Sequence, residues 1–170
     1  MTSEEIFLTY SADKLDQLSG RIQDCLDKLT GEQIWLRNTE NENAVGNLVL
    51  HLCGNVRQWI GSGVAGKPDH RDRDSEFAAR GSLSGAQLRE RLSETVRETS
   101  EIIRNLPLAR LTEPKTIQKY DVTVFEAIYH VVEHFSQHTG QIIFATKLLT
   151  GQDLGYYHHL SQPKHFETTP

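Results

Sequence analysis

Eight histidines in a chain of 170 residues with one Met and two Trp are the residues most able to do chemistry, and they are unevenly placed. His134 and His138 lie one helical turn apart, about 40° round a helix axis, so both imidazoles leave one face and can grip a single ion. His138 also falls between Phe135 and Ile142 in an apolar stripe, where an unpaired imidazole is costly. Two ligands do not make a site, and such a pair is as often a surface accident or a hydrogen-bonded core feature. His51 supplies a third candidate beside Leu48 and Leu52. Asn47 and Asn55 flank it by four residues on either side, which draws a polar line along an apolar helix, and Gln141 extends the His134/His138 line by three. A lone buried His51 is more often a satisfied core histidine; three histidines on two facing interior stripes reverse those odds. Three neutral imidazoles with water in the remaining positions suit Zn²⁺, Ni²⁺ or Fe²⁺ and serve the oxygen-preferring Mg²⁺ and Ca²⁺ poorly.

Other groups compete for attention. His130, Glu133 and His134 match H-x-x-E-H, a zinc-peptidase pattern in which the Glu is a general base. That pattern needs a carboxylate ligand well downstream, and only Asp153 and Glu167 follow Glu133. The expectation is therefore that His130 lines the cavity or packs beside it, and that Glu133 faces outward. Cys53 is two residues past His51, so a helix turns it away, and Cys25 belongs to the packing stripe of the first helix. Both are expected to be reduced core residues. His158, His159 and His165 sit with Tyr156 and Tyr157 in an aperiodic tail, where solvated side chains are the default. No nucleophile triad and no phosphate-binding glycine loop is present, so metal chemistry is the only chemistry with visible support.

These residues must be positioned by helices. Leu15, Leu18, Ile22, Cys25 or Leu26, and Leu29 recur at three- and four-residue steps from Ser3 to about Leu29, the mark of an amphipathic helix. A connection from Thr30 to Asn43 follows, with Ile34 and Trp35 expected to pack back. Val45, Leu48, Leu52, Val56 and Trp59 define a second helix, and Gly61 to Gly66 supply its stop signals. The next stretch holds the charge run Arg71-Asp72-Arg73-Asp74 and reads as a solvated loop. Ser84 offers an N-cap to a third helix running to about Asn105, with Leu88, Leu92, Val96, Thr99 and Ile103 on one stripe and Pro107 beyond its end. In the following connection, Thr116–Tyr120 is briefly extended with no visible pairing partner. The fourth helix runs from about Val122 to Thr150 and ends at Gly151; its interior stripe is Ile128, Val131, Phe135, His138, Ile142, Ala145 and Leu149. Residues 153–170 form a tail expected to lie against the bundle or to be partly disordered. Four such helices without an alternating strand pattern give an all-α bundle of a single domain, residues 1–152, whose seam is where bundles place metals and cofactors.

Composition narrows the partners. Eighteen Lys and Arg against 23 Asp and Glu give a formal charge of −5, which lacks the surplus that drives nucleic-acid binding. The first residues lack the basic start of a secretory signal, and no apolar run approaches the ~20 residues that span a bilayer. The expectation is a cytoplasmic protein that contacts neither nucleic acid nor membrane.

The combination of NLVLHL on the second helix with HFSQHTGQI on the fourth resembles the DinB-like metal-dependent superfamily, over nearly the whole chain. That resemblance implies a four-helix bundle of up-down-down-up order with long inter-helix loops, His51, His134 and His138 as metal ligands, and a homodimer. Members of known chemistry include thiol-cofactor S-transferases and a mycothiol-dependent isomerase. Two functions follow as expectations. In the first, a divalent transition ion activates water or a low-molecular-weight thiol against a small substrate, with Asn47, His130 and Gln141 as cavity-lining candidates. In the second, the bundle is a non-catalytic metal-binding module for a ligand or partner.

Overall fold

The computed structural model describes residues 1–161 and is mostly helical. Helix α1 spans Ser3–Lys28 and opens with a capping box in which Thr2 and Glu5 satisfy each other's backbone N–H groups. The same device starts the short α2, Gly31–Ile34, from Thr30 and Gln33, and the long α5, Gly85–Arg104, from Ser84 and Gln87. It also starts α6, Val124–Thr150, from Thr123 and Glu126, which places that helix two residues later than the apolar pattern suggests. Gly151, in the left-handed region at φ 65°, ends α6. Helix α3 spans Val45–Val56 and lacks a polar cap; instead Asn47 Oδ1 accepts from the Ala44 N–H. Helix α1 packs along α5 and α6, and α3 packs against the same two from the other side. The core follows the expected stripes: Leu15, Ile22, Leu52, Leu88, Leu92, Ile128, Phe135 and Ile142 are fully enclosed.

Four expectations change. The second helix ends among its glycines as expected, with Gly66 at φ 74° just past its end, but it changes character first: α3 continues as a π-helix, Arg57–Val64, closed by an Ala65 N–H to Ile60 C=O bond of 2.9 Å. The charge run is not a free loop: Asp72 caps a short helix α4, Arg73–Ala78, that lies on α3. The extended Thr116 region does pair, as strand β1, Pro114–Ile117, antiparallel to β2, Tyr120–Thr123. Gln118 and Lys119 form the two-residue turn, both at positive φ, 51° and 69°. On α6 the enclosed position is Thr139, while His138 is only half-buried, because the stripe drifts round the helix by one residue there.

Of the tail, the part through Ser161 is described and its remainder, with His165, lies outside the described residues. Tyr156 ties that part to α1 by donating to the Arg21 carbonyl at 2.8 Å. His158 pairs with Asp153 in solvent rather than reaching the histidines. Among the described residues no helix is long and apolar enough to cross a membrane.

Candidate metal centre

Packing α3 against α6 brings together the three histidines that spacing singled out. His51 Nε2 and His138 Nε2 each lie 3.2 Å from His134 Nε2, and one ring nitrogen of each falls within 4.8 Å of the others. The rings meet nearly edge to face, 83° between His51 and His138 and 76° between His134 and His138.

The tautomers follow from the partners on the far side of each ring. His138 Nδ1 faces Gln141 Oε1 at 2.7 Å; the oxygen can only accept, so Nδ1 carries the proton and Nε2 keeps a lone pair. His51 Nδ1 lies 3.1 Å from Glu76 Oε2 and 3.1 Å from Arg71 Nη2. Accepting from Arg71 would set a nitrogen lone pair against a carboxylate oxygen, whereas donating to Glu76 leaves Arg71 its own bonds to that carboxylate. Nδ1–H is therefore the donor, and His51 Nε2 also presents a lone pair. His134 Nε2 thus faces two lone pairs, of which a single N–H could satisfy only one. Its own Nδ1 is buried without a partner. With the proton on Nδ1, three lone pairs converge on one point, an arrangement that a cation relieves. The donor set fits a transition ion.

Charge runs in the same direction. Burial, with the neighbouring His138, His51, His130 and Arg71 acting alike, pushes His134 down to about 3, so it stays neutral in neutral solution. Burial also lowers His138, against the Gln141 hydrogen bond. Burial pushes Glu76 up, but hydrogen bonds from His51 and Arg71, and the guanidinium charge, outweigh it and hold the carboxyl below its usual range.

Arg71 and Glu76 are the functional residues that sequence reasoning missed. The Arg71 side chain is only 4% exposed and grips Glu76 with two parallel bonds, Nε to Oε1 at 2.9 Å and Nη2 to Oε2 at 3.0 Å. The approach of α4 depends on Gly54, where a Cβ would stand 1.8 Å from Glu76 Oε1. A glycine in a helix interior is a signal of such close approach. Asn47, expected to line the cavity, instead holds α4 in place: its amide donates to the carbonyls of Glu76 at 2.9 Å and Ala79 at 3.0 Å. Arg37 braces the same segment through Phe77 C=O and Asn47 Oδ1.

A cavity of about 510 Å³ opens beside His51 and His134. His130 lies in its wall, packed on Trp59 with ring centroids 4.1 Å apart and planes tilted by 42°, and burial lowers its pKa although Glu133 opposes this. It is not among the three convergent histidines, and Glu133 points to solvent, so the H-x-x-E-H pattern makes no site. Gln141 bonds His138 from outside the cavity. Cys25 and Cys53 are free, buried and apart from the triad. Burial raises both thiols, Cys53 to about 11.

Helices that hold three imidazoles together at a cavity define a helical protein with a candidate metal centre. The chain belongs to the family described as Protein of unknown function (DUF1572), whose model matches residues 2–165. It is similar to a solved structure described as "Crystal structure of the conserved protein of locus from Enterococcus faecalis". The two share 16% identity with a TM-score of 0.67, covering 89% of this chain and 99% of that one, a likeness of fold alone. No curated protein gives a significant match.

Proposed function

We propose that His51, His134 and His138 hold a divalent transition ion, zinc, nickel or iron, and that the protein is a metal-dependent enzyme acting on a small molecule in the adjoining cavity. The observation that carries this is the convergence of three imidazole nitrogens, with the tautomers of His51 and His138 set from behind by Glu76 and Gln141. Carboxylate or amide partners of this kind orient metal-binding histidines and raise their basicity. A closed structural site uses four protein ligands, and only three converge here, which favours an open position over a purely structural or non-catalytic role. An ion held there supplies Lewis acidity, lowering the pKa of a water or an exogenous thiol that reaches it. The chain's own residues bind and orient: Trp59 and Tyr120 shield one side of the cavity, and His130 packs against Trp59 in its wall. Neither cysteine is activated, so the nucleophile comes from solution.

The helix packing supports a bundle of the DinB-like, up-down-down-up type. A homodimer is supported by Phe144 and Leu148, which α6 leaves 65% and 70% exposed. We place the protein in the cytoplasm, acting on small molecules without nucleic acid or membrane. The test is metal analysis of protein purified without an affinity tag. One equivalent per chain is expected, lost in folded His51→Ala and His138→Ala; full metal content in both variants rejects the site. Sedimentation giving a 19.3 kDa species rejects the dimer.

A further inference from the structure

Among the described residues four buried side-chain atoms lack a hydrogen-bond partner: Arg37 Nε, Asn55 Oδ1, Trp59 Nε1 and His134 Nδ1. Three of the four belong to residues that line the cavity beside the triad. Leaving a buried donor or acceptor unpaired costs about 1–3 kcal/mol, so a fold that gathers three around one cavity is keeping them for something that enters it. Asn55 and Trp59 are each 3% exposed, and they stand one turn apart on the wall formed by α3 and its π-helical extension.

The charges that line the cavity are not equally available. Arg71 is taken up by Glu76, and Glu126 is taken up by the N–H and hydroxyl of Thr123 at 2.7 Å each. Arg73 is different. Its guanidinium lies over the Phe77 ring, 4.9 Å from the centroid, and it makes no ion pair among the described residues. Phe77 in turn packs on His51, with centroids 4.8 Å apart, so this cation stands beside the triad. Trp59, Tyr120 and Val122 also give the cavity apolar surface, which suits a carbon skeleton better than an inorganic anion.

We propose that this cavity binds a small organic carboxylate that also carries an N–H or O–H donor. The carboxylate is taken by Trp59 Nε1–H and the Arg73 guanidinium, and the donor is taken by Asn55 Oδ1. One further contact rests on the metal reading above. When an ion occupies Nε2 of His134, its Nδ1–H lacks the acceptor that Glu76 and Gln141 provide for the other two imidazoles, and an oxygen of the ligand supplies it. The first three contacts do not depend on the ion.

The test uses N-acetylglycine, which carries a carboxylate and an amide N–H, with N-acetylglycinamide as its uncharged counterpart. The readout is the indole N–H resonance of Trp59 in the ¹⁵N spectrum, assigned by its loss in Trp59→Phe; Trp35, already bonded to the Leu83 carbonyl, is the internal control. The titration is run on chelator-stripped and zinc-loaded protein. The expected result is a saturable shift of the Trp59 signal alone in both forms, about tenfold weaker with the uncharged analogue and in Arg73→Gln. No shift, equal binding of the uncharged analogue, or undiminished binding in Arg73→Gln overturns the proposal. Binding confined to the zinc-loaded protein and indifferent to Arg73 also overturns it, because the carboxylate is then a ligand of the ion only, and the metal reading survives. Binding to protein that never retains metal leaves the proposal standing and removes the metal reading.

Discussion

Replacing Gly54 by alanine tests the architecture behind the triad without altering any histidine. The added Cβ would lie 1.8 Å from Glu76 Oε1 and 2.7 Å from its Cδ, so the carboxylate must leave its place. Moving it breaks the Arg71 fork and the His51 bond and strands a guanidinium on a side chain 4% exposed. Breaking a buried ion pair costs about 3–5 kcal/mol. Alanine is the better helix former by about 1 kcal/mol. The net expectation is a loss of about 2–4 kcal/mol in chelator-treated protein, where metal binding cannot contribute to stability. With a urea slope of about 2 kcal/mol/M, the unfolding midpoint falls by roughly 1–2 M. The decisive comparison is the same substitution made in Glu76→Ala, where no carboxylate stands in the way. There Gly54→Ala is expected to be neutral or stabilising by up to about 1 kcal/mol, so the double-mutant cycle returns a large coupling. An equal cost in both backgrounds, or no cost in the native one, refutes the close-approach argument.

Three further outcomes are expected. Glu76→Gln, which keeps the shape but weakens the acceptor for His51 Nδ1–H, lowers zinc affinity about 10–100-fold by calorimetry, and an unchanged affinity rejects a role for Glu76 at the metal. Because His134 stays deprotonated to about 3 when folded, the unfolded chain takes up its proton first; stability of the metal-free protein is complete above an unfolded pKa near 6.5 and declines as pH falls below it. Urea midpoints at pH 7.5 and 5.5 should differ more in the native protein than in His134→Asn, and identical slopes count against a buried neutral imidazole. Both thiols should resist a disulfide reagent at pH 7.5 and react once urea unfolds the chain; rapid labelling of the native protein contradicts their burial.

The triad was legible because its information is local: His134 and His138 share a helix face at any tertiary packing, and His51 lies between two asparagines on an otherwise apolar helix. The four long helices were legible for the same reason, through three- and four-residue recurrence and caps such as Ser84. Arg71 and Glu76 were not. Their sequence is that of a solvated charge run, and what buries them is the missing side chain of Gly54 and the amide of Asn47, both distant along the chain. The hairpin escaped notice because Gln118 and Lys119 lack the Asn-Gly or Gly signature of a two-residue turn. The shift of the buried position from His138 to Thr139 lies within the drift that a 3.6-residue period allows.

That turn has a consequence for how the cavity mouth behaves. Gln118 and Lys119 pass through the left-handed region with a Cβ each, which costs enthalpy in the native state but leaves far fewer accessible conformations than glycines would have. Strand β2, which begins at Tyr120 on the cavity wall, is therefore launched from a stiff corner, and Gln118 is further latched to Gln58. The corner thus restrains the segment that carries Tyr120 into the cavity wall, and glycines in place of Gln118 and Lys119 are expected to loosen it.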